Sequence, residues 1–155
     1  MTLAIRAARP GDLVAIQALL SSTGLPLQGV TEHLPHFHVA EQTGMLLAVA
    51  GLEVYATSGL LRSVAVAEEV KGRGVGSDLV RRVLAKADED RLATLYLLTT
   101  TAADYFPRFG FVRIDRGSLP PELNASEELR GACPASAIVM RRSALSLPGE
   151  AHLAS

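Results

Sequence analysis

The chain of 155 residues is 48% hydrophobic and 20% charged, with 15 Lys plus Arg against 16 Asp plus Glu. A chain this apolar is not intrinsically disordered, and a net charge of -1 lacks the basic excess of a general nucleic-acid binder. Its one cysteine, Cys133, makes neither an internal disulfide nor a cysteine-based zinc site, and reads as a small buried hydrophobe.

Residues 1–6 carry no basic segment ahead of an apolar run, so no secretory signal is expected. Residues 3–7 alternate weakly and predict a first strand. Arg9, Pro10, Gly11 and Asp12 form a turn, with Gly11 or Asp12 placed to cap a helix. Leu13, Ile16, Leu19 and Leu20 recur at helical spacing, and Ser21-Ser22-Thr23-Gly24 stops that helix. A short second helix is expected within residues 27–34, ended by Pro35. Residues 37–41, 45–55 and 59–67 read as three strands, joined by turns at 42–44 and 56–58. The stretch 45–61 is the most apolar. Glu53 and Ser58-Gly59 interrupt it, and it falls short of the roughly 20 residues of a membrane span.

The period then changes. Val75, Leu79, Val83 and Ala87 lie four apart, with Val80 and Leu84 beside them and charged residues on the other face. This is an amphipathic helix packed on a sheet. Residues 95–99 predict a short buried strand, 102–109 a short helix stopped by Gly110, and 111–114 another strand. Pro120-Pro121 opens a helix-like piece to residue 129, and 135–140 predict a last strand. The sum is an α/β fold with a mixed sheet. One domain is expected over residues 1–142, with a frayed tail at 143–155, in a soluble, cytoplasmic protein.

The most informative segment is Lys71-Gly72-Arg73-Gly74-Val75-Gly76-Ser77, between a strand and the amphipathic helix. Glycines at alternate positions let backbone approach a ligand closely, and the helix start leaves N–H groups unpaired. With a partial positive charge of about half a unit, these donors suit an anion, and Lys71 and Arg73 add to them. The spacing is neither a Walker A loop nor G-x-G-x-x-G.

This segment resembles motif A of the GNAT N-acetyltransferases, with Lys71 where Gln or Arg is usual. Thr99-Thr100-Thr101-Ala102-Ala103-Asp104-Tyr105-Phe106-Pro107-Arg108-Phe109-Gly110-Phe111 is similar to that family's second signature. Three stretches resemble more closely the branch associated with bacterial arsenic-resistance operons: Leu61-Arg62-Ser63-Val64-Ala65-Val66, Leu97-Leu98-Thr99-Thr100-Thr101-Ala102 and Cys133-Pro134-Ala135-Ser136-Ala137-Ile138-Val139-Met140. The resemblance implies a mostly antiparallel sheet of six to seven strands with helices on both faces, and acetyl-CoA as cosubstrate. It places Val64, Ala65 and Val66 on the pantetheine arm, an amide near Val66 on the thioester oxygen, and the amides of Lys71, Gly72, Arg73, Gly74, Val75, Gly76 and Ser77 on the pyrophosphate. Thr99 and Arg108 are further expected cofactor contacts.

Acetyl transfer to an amine also needs a base. Glu53 is the candidate, because a carboxylate in the apolar run Gly51-Leu52-Glu53-Val54-Tyr55 needs a reason to be there. A Thr57-Ser58 turn would set Glu53 opposite Arg62, either as a cross-strand ion pair or as part of the acceptor site. Glu53, Tyr55 and Arg62 are the expected acceptor residues, Arg62 offering a fork to a carboxylate or an arsenic oxyacid. The tyrosine that commonly protonates the thiolate is replaced by Phe106, and Tyr105, one position earlier, is the catalytic candidate. His33, His36 and His38 do not make a specified metal geometry, although one of them borders the acceptor region in such a fold. The expected activity is N-acetylation of a small amine, amino-acid-like or organoarsenical, by direct attack. The alternative is a non-catalytic acetyl-CoA-binding regulatory module. A homodimer is the one protein assembly expected.

Overall fold

The computed structural model describes residues 3–126 and 136–143. Its strands are β1 (Ala4–Ala7), β2 (Phe37–Gln42), β3 (Met45–Tyr55), β4 (Ser58–Val66), β5 (Thr94–Thr99), β6 (Val112–Ile114) and β7 (Ile138–Ser143). They form one seven-stranded sheet in the order β1-β2-β3-β4-β5-β7-β6. Only the β4–β5 contact is parallel; the other neighbours are antiparallel. This is the mixed, mostly antiparallel sheet expected. Among the described residues three α-helices accompany it: α1 (Leu13–Ser22), α2 (Val30–His33) and α3 (Val75–Glu89). Among the described residues no helix is long and apolar enough to cross a membrane.

Local chemistry accounts for the meander. Gln42 pairs with Met45 across Thr43 and Gly44, both at positive φ (49° and 79°), the backbone a tight hairpin needs. α3 then buries Val75, Leu79, Val80, Val83, Leu84 and Ala87 against Ala48, Ala50, Leu52 and Leu61 on one face of the sheet. On the opposite face, Ile16 and Leu20 of α1 and Val30 of α2 pack with Phe37, Val39, Val49 and Ala65. The Phe37 ring covers Gly51, where a Cβ would come within 2.3 Å of its Cζ.

Leu61 and Ala65 have the same parity yet face opposite sides of the sheet. The β3–β4 register explains this. Ala65 pairs with Val49 but Arg62 pairs with Gly51, so Ser63 and Val64 together oppose Ala50. This is a β-bulge, and Ser63 takes the left-handed conformation, φ 60°, within it. A serine held there is strained, and the bulge re-aims the rest of β4.

Several local expectations need correction. The β3–β4 turn is Ala56-Thr57, because Ala56 adopts φ 55° and Tyr55 pairs with Ser58. Glu53 therefore sits opposite Leu60, and Arg62 opposite Gly51. The expected helix at 102–109 is a turn followed by a 3-10 segment, Phe106–Phe109, which Pro107 opens and Gly110 ends at φ 93°. The second helix is only Val30–His33, continued by a 3-10 turn at Leu34–His36 that accommodates Pro35. The helix-like piece expected up to residue 129 starts as a 3-10 segment, Pro121–Ala125, and residues 127–129 lie outside the described residues. The last strand runs Ile138–Ser143, displaced towards the C-terminus from the predicted 135–140. Cys133 lies outside the described residues.

Candidate functional site

β4 and β5 pair at only three positions, Ser58 with Thr94, Gly59 with Leu95 and Leu60 with Tyr96. Both strands then continue without a shared ladder. Between them opens a cleft of about 530 Å³, walled by Leu61, Arg62, Ser63 and Val64 from β4 and by Leu97, Leu98 and Thr99 from β5. Leu25 and Pro26, from the loop after α1, and Thr100, Thr101, Tyr105 and Phe106 are also part of the lining. Past Leu60, the β5-facing backbone groups of β4 have no strand partner and are available to a ligand. The bulge at Ser63 and Val64 lies where the strands diverge.

The glycine-rich loop stands at the start of α3. Gly72 and Gly74 have φ of 83° and 77°, with nothing within 4 Å of where their Cβ atoms would lie. The helical ladder begins with Asp78 N–H donating to Gly74 O at 3.0 Å. The amides of Val75, Gly76 and Ser77 precede it and are the orphan donors of a helix N-terminus. An added Cβ at Gly76 would lie 3.2 Å from Val66 Cγ2 and 4.0 Å from the Tyr105 hydroxyl, so glycine keeps this turn close to β4. The exposed Lys71 ammonium pairs with Glu68 at 2.8 Å, a weak surface contact that an anion can displace.

Behind the cleft wall lies a buried charged network. Glu53 is 0% exposed and Arg62 3%. Arg62 Nη1 donates to Glu53 Oε2 at 2.6 Å and to Gln28 O, Nη2 to Pro26 O at 3.0 Å, and Nε to Ser63 Oγ at 2.9 Å. The residues meet although they are diagonal rather than opposite: Gly51, facing Arg62, has no side chain, and the long arginine spans the diagonal. The Tyr55 hydroxyl donates to Glu53 Oε1 at 2.6 Å and lies 3.2 Å from His33 Nε2. Burial and the bond to Glu53 raise the Tyr55 pKa well above its ordinary value. Burial lowers that of His33, against an opposing pull from the Glu53 charge.

Residues 33–113 match the acetyltransferase (GNAT) domain family, a span that holds the cleft walls, the glycine-rich loop and α3. The chain belongs to the GNAT acetyltransferases. Its class is therefore acetyl-CoA-dependent N-acetyltransferase. An uncharacterized N-acetyltransferase of Chlorobaculum tepidum is 27% identical over 127 residues, 77% of this chain and 81% of that protein. The amino-acid acetyltransferase of Pseudomonas fluorescens is 38% identical over 107 residues, covering 65% of this chain. The GNAT chain spans only 25% of that relative's length. The structure of N-acetylglutamate synthase from Neisseria gonorrhoeae, complexed with coenzyme A and N-acetyl-glutamate, matches at a TM-score of 0.79 and 24% identity, over 94% of this chain and 36% of that one. A Mycobacterium tuberculosis protein in complex with CoA matches at 0.76 and 24% identity, over 92% and 99% of the two chains. These structural likenesses establish the fold.

Within the acetyltransferase, the side chains of the expected residues do not all meet in the cleft. Val64 and Thr99 line the cleft, and Thr99 Oγ1 accepts from the Ala102 amide at 2.9 Å. Ala65 instead faces the α1 core, and Val66 packs against Gly76. Tyr105 lines the cleft with its hydroxyl 2.7 Å from Ser77 Oγ, at the first turn of α3. The Arg108 guanidinium stacks over the Tyr105 ring at 4.4 Å, and Phe106 is buried. The three histidines diverge: His33 joins Tyr55, His36 is exposed, and His38 is buried on the α3 face. Among the described residues, no three His, Cys, Asp or Glu side chains are grouped as a metal site. Ser63 and Pro26 were missed by sequence reasoning. A bulge serine and a backbone carbonyl leave no pattern in composition or periodicity.

Proposed function

We propose that this chain acetylates a small amine by direct attack on acetyl-CoA, with the acceptor entering the cleft between β4 and β5. The observation that carries the reading is this continuous cleft, with the glycine-rich cradle adjoining its β4 wall through Val66 and Gly76. The pyrophosphate would rest on the amides between Lys71 and Ser77, and the pantetheine arm would run along the unpaired edge of β4. The acceptor nitrogen attacks the thioester carbonyl, the C–S bond breaks, and the proton lost from the amine passes to a base. Unpaired backbone amides of β4 near the bulge are placed to hold the carbonyl oxygen as negative charge develops.

An amino-acid-like acceptor is favoured by the relatives named amino-acid acetyltransferases, and organoarsenical amines by the resemblance of residues 61–66, 97–102 and 133–140 to the arsenic-operon branch. Arg62 serves this site as a clamp rather than as a free fork. Four of its five N–H groups are held by Glu53, Gln28, Pro26 and Ser63. Glu53 is fully buried behind it and positions it. Tyr105, tied to Ser77, serves the cofactor end. The reading takes residues 1–142 as one acetyltransferase domain, acting in the cytoplasm, with a second copy of the chain as its expected protein partner.

Titration calorimetry with acetyl-CoA tests the cradle. Gly74→Asp meets no steric obstacle, and Asp tolerates positive φ at a cost of about 1 kcal/mol. It sets a carboxylate where the pyrophosphate would lie, so binding is expected to vanish while the fold persists. Wild-type affinity in this variant would sink the cradle. Free-CoA release across amino acids, polyamines and organoarsenical amines then finds the acceptor. The second reading, a non-catalytic acetyl-CoA-binding module, draws on Phe106, a buried ring with no proton at the usual tyrosine position. Intact binding with silence across the whole amine panel would favour it.

A further inference from the structure

We infer that His33 is the base that receives the acceptor's proton, with Tyr55 and Glu53 behind it as a hydrogen-bonded relay. The inference rests on the acetyltransferase reading and goes beyond it by naming the proton's route.

Glu53 itself cannot meet an amine, since its side chain is 1% exposed. Its carboxylate is engaged on both oxygens, by Tyr55 and by Arg62. The Tyr55 hydroxyl gives its one proton to Glu53 at 2.6 Å. Its oxygen is then the acceptor for His33 at 3.2 Å, which makes neutral His33 the tautomer with hydrogen on Nε2. Nδ1 carries the free lone pair, on a side chain that is 20% exposed. The ring also stands near Arg62, a residue of the cleft wall. A Cβ placed on Gly29 would lie 2.9 Å from Arg62 Nη1, 3.3 Å from Glu53 Oε2 and 3.7 Å from His33 Cδ2. Glycine at this position leaves the imidazole close to the buried Arg62 guanidinium.

The charge balance supports the role. The groups acting on His33 are Glu53 and Arg62 from the sheet and Glu32 and His36 from its own segment; Tyr55 is its hydrogen-bond partner. Burial keeps the ring neutral near pH 7, ready to accept. When Nδ1 takes the proton lost by the attacking amine, directly or through water, the imidazolium donates through Nε2 to Tyr55. Glu53 Oε1, 3.9 Å away, stabilises the positive charge. The proton leaves to solvent from the partly exposed edge of the ring after the acetylated product departs, and no further reactant is required.

The test joins kinetics to spectroscopy. For a turned-over amine, wild-type kcat/KM is expected to fall at acid pH with the same pKa that His33 shows by 15N NMR of the ring. His33→Gln should remove that limb, lower kcat/KM at neutral pH by about 10²-fold or more, and leave acetyl-CoA affinity and the melting temperature near wild type. A merely structural histidine would leave the acid limb in place, and a surviving limb in a folded variant overturns the inference. The relay is also read without turnover: the neutral ring in the wild type should be the Nε2–H tautomer. An Nδ1–H tautomer overturns the relay on its own. Failure of every amine with the wild type would instead overturn the acetyltransferase reading.

Discussion

Removing the charge from either partner of the Glu53–Arg62 pair should cost far more than a surface ion pair. Arg62 binds a carboxylate on β3, a hydroxyl on β4 and two carbonyls of the loop after α1, at 3% exposure. Arg62→Met retains much of the stem but strands the Glu53 charge and two carbonyls. Glu53→Gln is nearly isosteric and strands the guanidinium. Breaking a buried pair costs roughly 3–5 kcal/mol, out of a typical total stability of about 5–15 kcal/mol. At about 2–4 °C per kcal/mol for a chain of this size, melting should fall by roughly 6–20 °C. The chain has no tryptophan, so far-UV circular dichroism is the appropriate probe. The double variant Glu53→Leu with Arg62→Met removes both charges together and should recover much of the loss. In kinetics well below the melting temperature, acetyl-CoA affinity should hold while KM for the acceptor rises, because Pro26 lines the cleft. Single variants that lose less than about 1 kcal/mol would place the pair among exposed ones. Strictly additive losses in the double variant would show no coupling between the two residues. Either result refutes the clamp.

Tyr105→Phe removes the bond to Ser77 and should weaken acetyl-CoA binding by up to about tenfold, with kcat preserved. A kcat loss of about 10²-fold would instead make Tyr105 the thiolate's acid. Stability should fall in acid. Burial first, then Arg82 and Lys86, hold the His38 pKa below 6.5, and among the described residues His38 Nδ1 has no hydrogen-bond partner; burial does the same to His33. The unfolded chain therefore takes up protons first. The contribution is complete above 6.5 and is lost as pH falls below it towards the depressed native values. Melting temperatures from about pH 7.5 to about pH 5 should trace this decline, and His38→Phe should flatten it. Unchanged curvature in that variant would clear His38.

Elements governed by local rules were legible in the sequence. The four-residue apolar spacing of Val75, Leu79, Val83 and Ala87 specifies α3 whatever it packs on. The glycines at 72 and 74 announce positive φ, which almost no other residue adopts cheaply. Glu53 stood out because a charge in an apolar strand demands a partner. What the sequence left open depends on the relation between distant segments. The β3–β4 register turned on which residue took the left-handed conformation, and Ala56 carries no signal for it. The bulge at Ser63, which reverses the faces of β4, is likewise invisible to a period-two pattern. Whether Arg62 is an ion-pair partner or a fork for the acceptor stays open in the sequence, because two of its four acceptors are backbone carbonyls 34 and 36 positions away, and a carbonyl is the same at every residue. The cleft itself is a tertiary product. It exists because two parallel strands share three pairs and then part, a relation between segments far apart in the chain that no local periodicity encodes.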